Sequence, residues 1–368
     1  MTFISILVAI LVFAVLVIVH EFGHFIVAKR AGVRVDEFAV GFPPRIWSIQ
    51  RGETRYSLNA LPLGGYVLMP GENGIVTDEE GVADPRSFAV QTAGKRAAIM
   101  VAGVTMNMFL AFIIYMGIFG TVGTPVAVEK STPTVGQVAV GSPAQAGGLQ
   151  AGDTFISFDG TPVHNPVDVN TAVTKLLKAD TTTATTVPLT VIVNRHGVPT
   201  TLTINARKVP PKGEGPMGAI YQNQYHHYST LELPGMALHT IFIGNFQAVG
   251  EGFHQILTGV IKPADAFTGP VGIVRITSMA TSAVGTDGLT PIFTIMAFLS
   301  WNLAVFNLLP IPGLDGGRLF LLFIEVLRRG RRLAPEREAL INLIGLGFLL
   351  SLILVITVND VIHIFNGQ

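Results

Sequence analysis

Apolar residues in this chain collect into four long runs. Phe3–Val27, Ala97–Val122, Ile292–Leu309 and Leu340–Val358 each approach the roughly 20 residues an α-helix needs to cross about 30 Å of hydrocarbon. Each is predicted as a transmembrane helix. The first has neither the basic start nor the small-residue cleavage site of a signal peptide and runs directly into HEFGH, so it is expected to stay as a permanent span. From Pro133 to Lys208 the pattern changes to short alternating stretches separated by Gly/Pro turns. Gly136–Val140, Phe155–Phe158, Leu189–Asn194 and Thr201–Ile204 read as strands, and Pro166–Leu177 as a helix. Met236–Leu257 returns to helical spacing with interruptions. This predicts an amphipathic helix along the outer membrane surface, or a short further span that would bury Asn245, Gln247, Glu251 and His254 at a cost.

Composition agrees with the pattern. Of 368 residues, 49% are hydrophobic and only 13% charged, and mean hydropathy is +0.53, a balance too apolar for an ordinary soluble enzyme. The 24 basic and 24 acidic residues cancel, so no overall field favours nucleic acid and no nucleic-acid partner is expected. What matters is placement. Lys29, Arg30, Arg34, Arg45, Arg51, Arg55, Arg86, Lys95 and Arg96 lie between the first two runs; Arg328, Arg329, Arg331, Arg332 and Arg337 lie between the last two. Both loops are expected on the cytoplasmic side, with the N-terminus and the 125–290 segment outside. The absence of cysteine excludes disulfides, thiolate catalysis and cysteine-ligated metals.

His20 and His24, at i and i+4, project from one helix face and can share one Zn²⁺. Glu21 stands beside the first of them, where a carboxylate can take a proton from an attacking water and return it to a leaving amine. Ionisable groups at the end of an apolar span are costly, which favours a functional reading. A catalytic zinc needs a third protein ligand. Asp315 is the candidate, in Asn307-Leu-Leu-Pro-Ile-Pro-Gly-Leu-Asp-Gly-Gly317 at the inner end of the third run. Pro310, Pro312, Gly313, Gly316 and Gly317 predict broken backbone there, at the depth of His20 and His24.

Gly141–Val163, GSPAQAGGLQAGDTFISFDGTPV, resembles the core of a bacterial PDZ domain, which implies a groove able to take an extended peptide ligand. HEFGH, NLLPIPGLDGG, Gly103-Val-Thr-Met-Asn107, GGYVLMPGE (Gly64–Glu72) and TGPVGI (Thr268–Ile273) together resemble the site-2 protease family, specifically the regulator-of-sigma-E type. The resemblance covers nearly the whole chain. It implies that His20, His24 and Asp315 bind zinc and that Glu21 is the catalytic base. It further implies that Asn307 contacts substrate backbone or polarises its carbonyl, that Asn107 lies near the active site, and that Gly64 and Gly65 belong to a membrane-associated β-hairpin-like loop presenting substrate as an extended strand. The chain departs from the family's large members in having one PDZ-like unit, and from many relatives in having Val104 where they have Pro.

The expected architecture is a polytopic α-helical membrane protein with four transmembrane helices, an inserted extracytoplasmic α+β PDZ-like domain and a short membrane-associated β-rich loop. Its parts are helix 1 with HEFGH (1–27), a cytoplasmic or re-entrant β loop (28–96), helix 2 (97–122), the PDZ-like domain (125–212), an amphipathic region (213–290), helix 3 (291–311), the LDGG segment and cytoplasmic loop (312–338) and helix 4 (339–359). The expected function is intramembrane zinc proteolysis in the bacterial inner membrane, near its cytoplasmic face. The expected substrate is a trimmed protein with a single transmembrane helix, of the anti-sigma-factor type, or a remnant signal peptide. The alternatives are a non-catalytic scaffold with a structural metal, disfavoured by Glu21, and a metal or proton transporter, disfavoured because the spans carry no other paired carboxylates.

Overall fold

The computed structural model describes residues 3–72, 84–126, 130–211, 214–222, 224–260, 269–331 and 334–365. Thr268 of the TGPVGI phrase and Arg332 of the second basic cluster lie outside the described residues. The chain divides into two units: residues 1–121 with 229–368, and residues 122–228.

The first unit begins with α1 (Phe3–Ala31), whose buried positions Ala9, Val12, Leu16, His20, Gly23 and His24 follow helical spacing. Two long strands follow, β1 (Glu37–Arg51) and β2 (Thr54–Leu68). Both bend, so their pairing builds four lanes. Residues 37–40 of β1 pair on one side with 55–58 and on the other with 65–68, and residues 45–51 pair with 54–59. Residues 65–68 therefore form one outer edge of the sheet. The sequence singled out this region only as a β-rich loop, because its apolar residues do not follow a simple alternation. Next comes α2 (Ala93–Thr121), which packs on α1.

The second unit holds β3 (Thr124–Pro125), β4 (Val135–Val138), the short helix α3 (Pro143–Ala146), β5 (Thr154–Phe158), β6 (Thr161–Pro162), α4 (Pro166–Ala179), β7 (Thr186–Arg195), β8 (Val198–Arg207), β9 (Ala219–Tyr221) and β10 (Tyr225–His226). A four-stranded antiparallel sheet runs β6-β5-β7-β8; β4 pairs with β9, and β3 with β10. Alternate residues of β7, Val187, Leu189, Val191 and Val193, face one core together with Phe155, Phe158, Val169 and Val173. All four predicted strands and the predicted helix are present, each longer than predicted except β4, which starts and ends earlier. The β7–β8 hairpin runs through Thr-rich ends whose alternation is weak but whose backbone pairing continues from Thr186↔Arg207 to Arg195↔Val198. Ser142 and Asn165 cap α3 and α4 by accepting the backbone N–H groups of Gln145 and Asp168.

Returning to the first unit, α5 (Leu233–His239), a π-helical turn (Thr240–Gly244) and α6 (Asn245–Leu257) make one run. They are followed by α7 (Pro270–Asp287), α8 (Thr290–Leu308), α9 (Asp315–Leu327) and α10 (Pro335–Phe365). The inner face of the α5–α6 run packs on protein. Tyr115 Oη of α2 donates to Asn245 Oδ1 at 3.1 Å, and Phe246 meets Trp301 of α8 edge-on at 4.8 Å. Two features extend the sequence reading. The TGPVGI phrase opens a full helix, α7, which touches α1 through Ser5 and Thr281 at 3.0 Å. The 312–338 stretch, read as a segment and loop, contains the helix α9; the broken backbone spans only Leu309 to Leu314. Among the described residues four helices are long and apolar enough to cross a membrane: Phe3–Ala31, Ala93–Thr121, Thr290–Leu308 and Leu340–Ile362. They correspond to the four predicted runs, and the chain is a multi-pass membrane protein.

In the second unit Asp153, only 1% exposed, accepts from Arg195 Nε at 2.8 Å and from the Gln150 N–H at 2.8 Å. Burial pushes this carboxyl up, but the Arg195 guanidinium and the amide outweigh it and hold it below the ordinary value. A depressed carboxyl contributes stability that is complete above its unfolded value, about 3.9, and is lost as pH falls through the lower folded value. Asp153→Asn is expected to destabilise this unit by roughly 2 kcal/mol at pH 7 and to flatten its acid dependence below about pH 4. Hydrogen exchange of the β5 and β7 amides in the full-length protein is the measurement.

Candidate metal centre

One helical turn of α1 carries His20 and His24, and their rings sit edge to face with centroids 4.8 Å apart. Asp315, the first residue of α9, brings its carboxylate to both. His20 Nε2 lies 3.1 Å and His24 Nε2 3.2 Å from Asp315 Oδ2, and the two Nε2 atoms are 3.2 Å apart. The three atoms form a nearly equilateral triangle. Ligands about 2.0–2.1 Å from a tetrahedral zinc stand about 3.3 Å from each other, so the triangle has the size that zinc requires.

Proton positions make the same point. His24 Nδ1 is 2.7 Å from the Ile99 carbonyl oxygen, which can only accept. Nδ1 therefore carries the proton of the neutral ring, and Nε2 offers its lone pair toward His20 and Asp315. Two imidazole nitrogens and a carboxylate oxygen facing one point repel unless a metal ion or a proton is shared between them. The donor set of two nitrogens and one oxygen suits zinc, and it leaves one tetrahedral position open.

His20 is held from its other nitrogen. Its Nδ1 lies 3.2 Å from the side-chain amide of Asn107, which is fully buried. The amide atom nearest the ring is Asn107 Nδ2; nitrogen and oxygen of an amide are assigned from such networks, and turning this one over would let its oxygen accept an Nδ1 proton and leave Nε2 free for a metal. Asn107 is itself anchored by Ser300 of α8, whose Oγ donates to the Asn107 carbonyl at 2.8 Å. Three helices thus cooperate at His20.

The close packing has a steric condition. A Cβ placed on Gly103 of α2 would stand 2.7 Å from His20 Cε1 and 2.8 Å from His20 Nε2, closer than carbon tolerates. A Cβ on Gly316 would stand 2.5 Å from the Leu308 carbonyl carbon, so glycine after Asp315 lets the broken segment fold over the first turn of α9. Sequence reasoning had Gly103 only as part of a matching phrase. Its signal was the four-residue spacing to Asn107, which places both on one face of α2.

The other sequence-predicted residues fall around this centre to different degrees. Glu21 is half-buried, and Gly65, on the outer lane of the sheet, comes close enough that an added Cβ would lie 3.2 Å from Glu21 Cγ. Gly64 packs against the Phe42 ring. Asn307 is buried in the last turn of α8, ahead of the broken segment. Two ion pairs went unforeseen because their partners are distant in sequence. Arg318, three residues after Asp315, pairs with Glu72 at the end of GGYVLMPGE. Arg96 of α2 grips Glu325 of α9 with bonds of 3.0 and 2.6 Å. Both tie α9 in place.

Comparison with known proteins adds the family. The model of Peptidase family M50 matches residues 8–352. The chain belongs to Peptidase family M50. It is 33% identical over 370 residues to a provisionally named zinc metalloprotease of Clostridium acetobutylicum, covering 100% of both chains. It is 29% identical to zinc metalloprotease RasP of Geobacillus kaustophilus, over 98% of each chain. It is 28% identical to regulator of sigma-W protease RasP of Bacillus subtilis, over 97% of this chain and 98% of that one. The site-2 protease resemblance read from the motifs and the family match agree.

Two substitutions test the geometry. Gly103→Ala is expected to abolish stoichiometric zinc, and Asn107→Ala to weaken zinc affinity about 10- to 100-fold while leaving the ligands in place. Metal content after dialysis against graded chelator, with the visible spectrum of the Co²⁺-substituted protein, distinguishes the two.

Proposed function

We propose that this zinc metalloprotease hydrolyses a peptide bond in or beside the single transmembrane helix of a membrane protein already trimmed on its outer side. His20, His24 and Asp315 hold the metal, and Glu21 carries the proton. The observation that supports this most is the 3.1–3.2 Å triangle of converging lone pairs within a multi-pass membrane chain. Zinc, when bound there, supplies a Lewis acid for the scissile carbonyl and for the attacking water.

The chain's own residues do the rest. Glu21 accepts the proton of the attacking water and delivers it to the leaving nitrogen, so that the peptide bond breaks to a carboxylate and an amine. Ile99 and Asn107 keep both histidines in the tautomer that presents Nε2. The outer lane of the sheet, residues 65–68, begins beside Glu21, where Gly65 lets the backbone approach that side chain. A substrate strand added to that edge is unwound, and its carbonyl is exposed to attack. Asn307 positions the substrate from the side of the broken segment.

The second unit serves as a PDZ-like domain on the outer side. Its single core beneath a four-stranded sheet, with α4 packed against it, suits that reading. Both basic loops lie in the cytoplasm of a bacterial cell, which puts the N-terminus outside and the metal near the inner face of the cytoplasmic membrane. The B. subtilis relative's name ties it to sigma-W regulation; an anti-sigma factor or a remnant signal peptide is the corresponding substrate class here.

Glu21→Gln is expected to keep one zinc per chain and to lower cleavage of a membrane substrate by 10²–10⁴-fold. The check compares membrane proteomes of cells carrying wild-type or Glu21→Gln protein. A trimmed membrane fragment accumulates only in the variant; unchanged processing with zinc retained would refute the proton-carrier role.

A further inference from the structure

The helix α9 is amphipathic the wrong way round for water. Its charged residues turn inward and are partnered: Asp315 with the two histidines, Arg318 with Glu72, Glu325 with Arg96. Its outward positions are Phe320, Phe323, Val326 and Leu327, which are 47%, 57%, 55% and 67% exposed. Such a face needs hydrocarbon against it.

Part of that face walls a shallow, open-sided cavity of about 540 Å³ between α9, the start of α2 and the end of α8. Its lining includes Ala93, Ala97, Leu308, Gly316, Phe320 and Val326, and every lining residue is apolar or glycine. The volume falls within the roughly 300–1,000 Å³ of ligand sites. Directly after α9 come Arg328, Arg329 and Arg331. All three are exposed, and none forms an ion pair among the described residues. Val326, which lines the cavity, is two residues from the first of these arginines.

We infer that this cavity and arginine run form a binding site for an anionic phospholipid, one acyl chain lying in the cavity and the phosphate headgroup on the arginines. Charge complementarity selects the occupant. An apolar slot alone would accept any chain, whereas three guanidiniums without ion pairs among the described residues, in the chain directly after the helix that walls it, favour a phosphate, bidentately and with net negative charge. The transmembrane segment of a substrate would fill the slot but leave the arginines unanswered. The lipid chain abuts Gly316, next to Asp315, so the site lies against the segment that presents the third candidate ligand. The inference rests on the membrane architecture and needs no assumption about cleavage.

The test reads lipid retention, not proteolysis. Full-length protein is extracted from nanodiscs of equal phosphatidylcholine and phosphatidylglycerol and weighed intact by native mass spectrometry. Wild type is expected to retain about one phosphatidylglycerol in preference to phosphatidylcholine. Each arginine changed to Gln (Arg328→Gln, Arg329→Gln, Arg331→Gln) is expected to lower that preference roughly fivefold, and changes to Lys to restore most of it. Ala97→Trp, which fills the cavity, is expected to lose the retained lipid with the arginines intact. Circular dichroism and thermal melting of each variant verify folding. Equal retention of both lipids, indifferent to the arginines, would overturn the inference. So would a photocrosslinker at Phe323 that captures a substrate transmembrane segment in place of lipid.

Discussion

Everything in the first unit is arranged around three lone pairs that face one another. Two imidazole nitrogens and a carboxylate oxygen at 3.1–3.2 Å form an arrangement that a shared cation, whether a metal or a proton, must neutralise, and burial makes the repulsion between bare lone pairs stronger. The fold must therefore hold the three donors against their own electrostatics while keeping each imidazole in one tautomer. It does so from the far side of each ring. The Ile99 carbonyl takes the His24 proton, and the side-chain amide of Asn107, whose backbone carbonyl is anchored by Ser300, holds the His20 ring at Nδ1. Both holding groups come from α2, so the second span is as much a part of the centre as the first. Their hydrogen bonds are buried, where a polar partner counts for more than it does in water.

Close approach is the second requirement, and small residues meet it. Helices in a bilayer gain little from hiding apolar side chains from each other, so they associate through packing and polar contacts. Gly103 lets α2 come against the imidazoles, and Gly316 lets the broken segment fold onto α9. The prolines before it end α8 and turn the chain so that Asp315 starts a new helix directed at α1. The ion pairs Arg96–Glu325 and Arg318–Glu72 then fix α9 from two sides. Removing either partner of Arg96–Glu325 would leave a buried charge, which is why such pairs specify a position more than they stabilise it.

The features carried by short-range pattern were legible in the sequence. The four spans follow from run length alone, and the strands of the second unit from alternation and turns. His20, Glu21 and His24 announce themselves by i, i+4 spacing, and Asp315 by the proline and glycine residues around it. The features that depend on distant residues meeting were not legible. Nothing in Asn107 names His20 as its partner across 87 positions, and nothing in Glu72 names Arg318 across 246. The doubled pairing of β1 and β2 was hidden as well, because each strand bends and serves two neighbours, so no single alternation survives. α9 was missed for a related reason: a helix that points its charges inward and its phenylalanines outward presents, by sequence, only a short apolar stretch between two charged ends.

That inversion constrains where the candidate ligand Asp315 can sit. Asp315 is carried by a helix of 13 residues that is not itself a span, so the thickness of the hydrocarbon does not directly place it. Two other forces do. Inward, the ion pairs lock α9 to α2 and to the end of the β2 segment. Outward, the exposed Phe320, Phe323 and Val326 favour hydrocarbon and the exposed arginines that follow favour water or headgroups, so the two preferences oppose a shift of α9 in either direction. The position of the third candidate ligand is thus fixed by protein contacts and favoured by the partition of α9 and the arginines after it. A centre shared between two helices, only one of which spans the membrane, needs both to stay aligned.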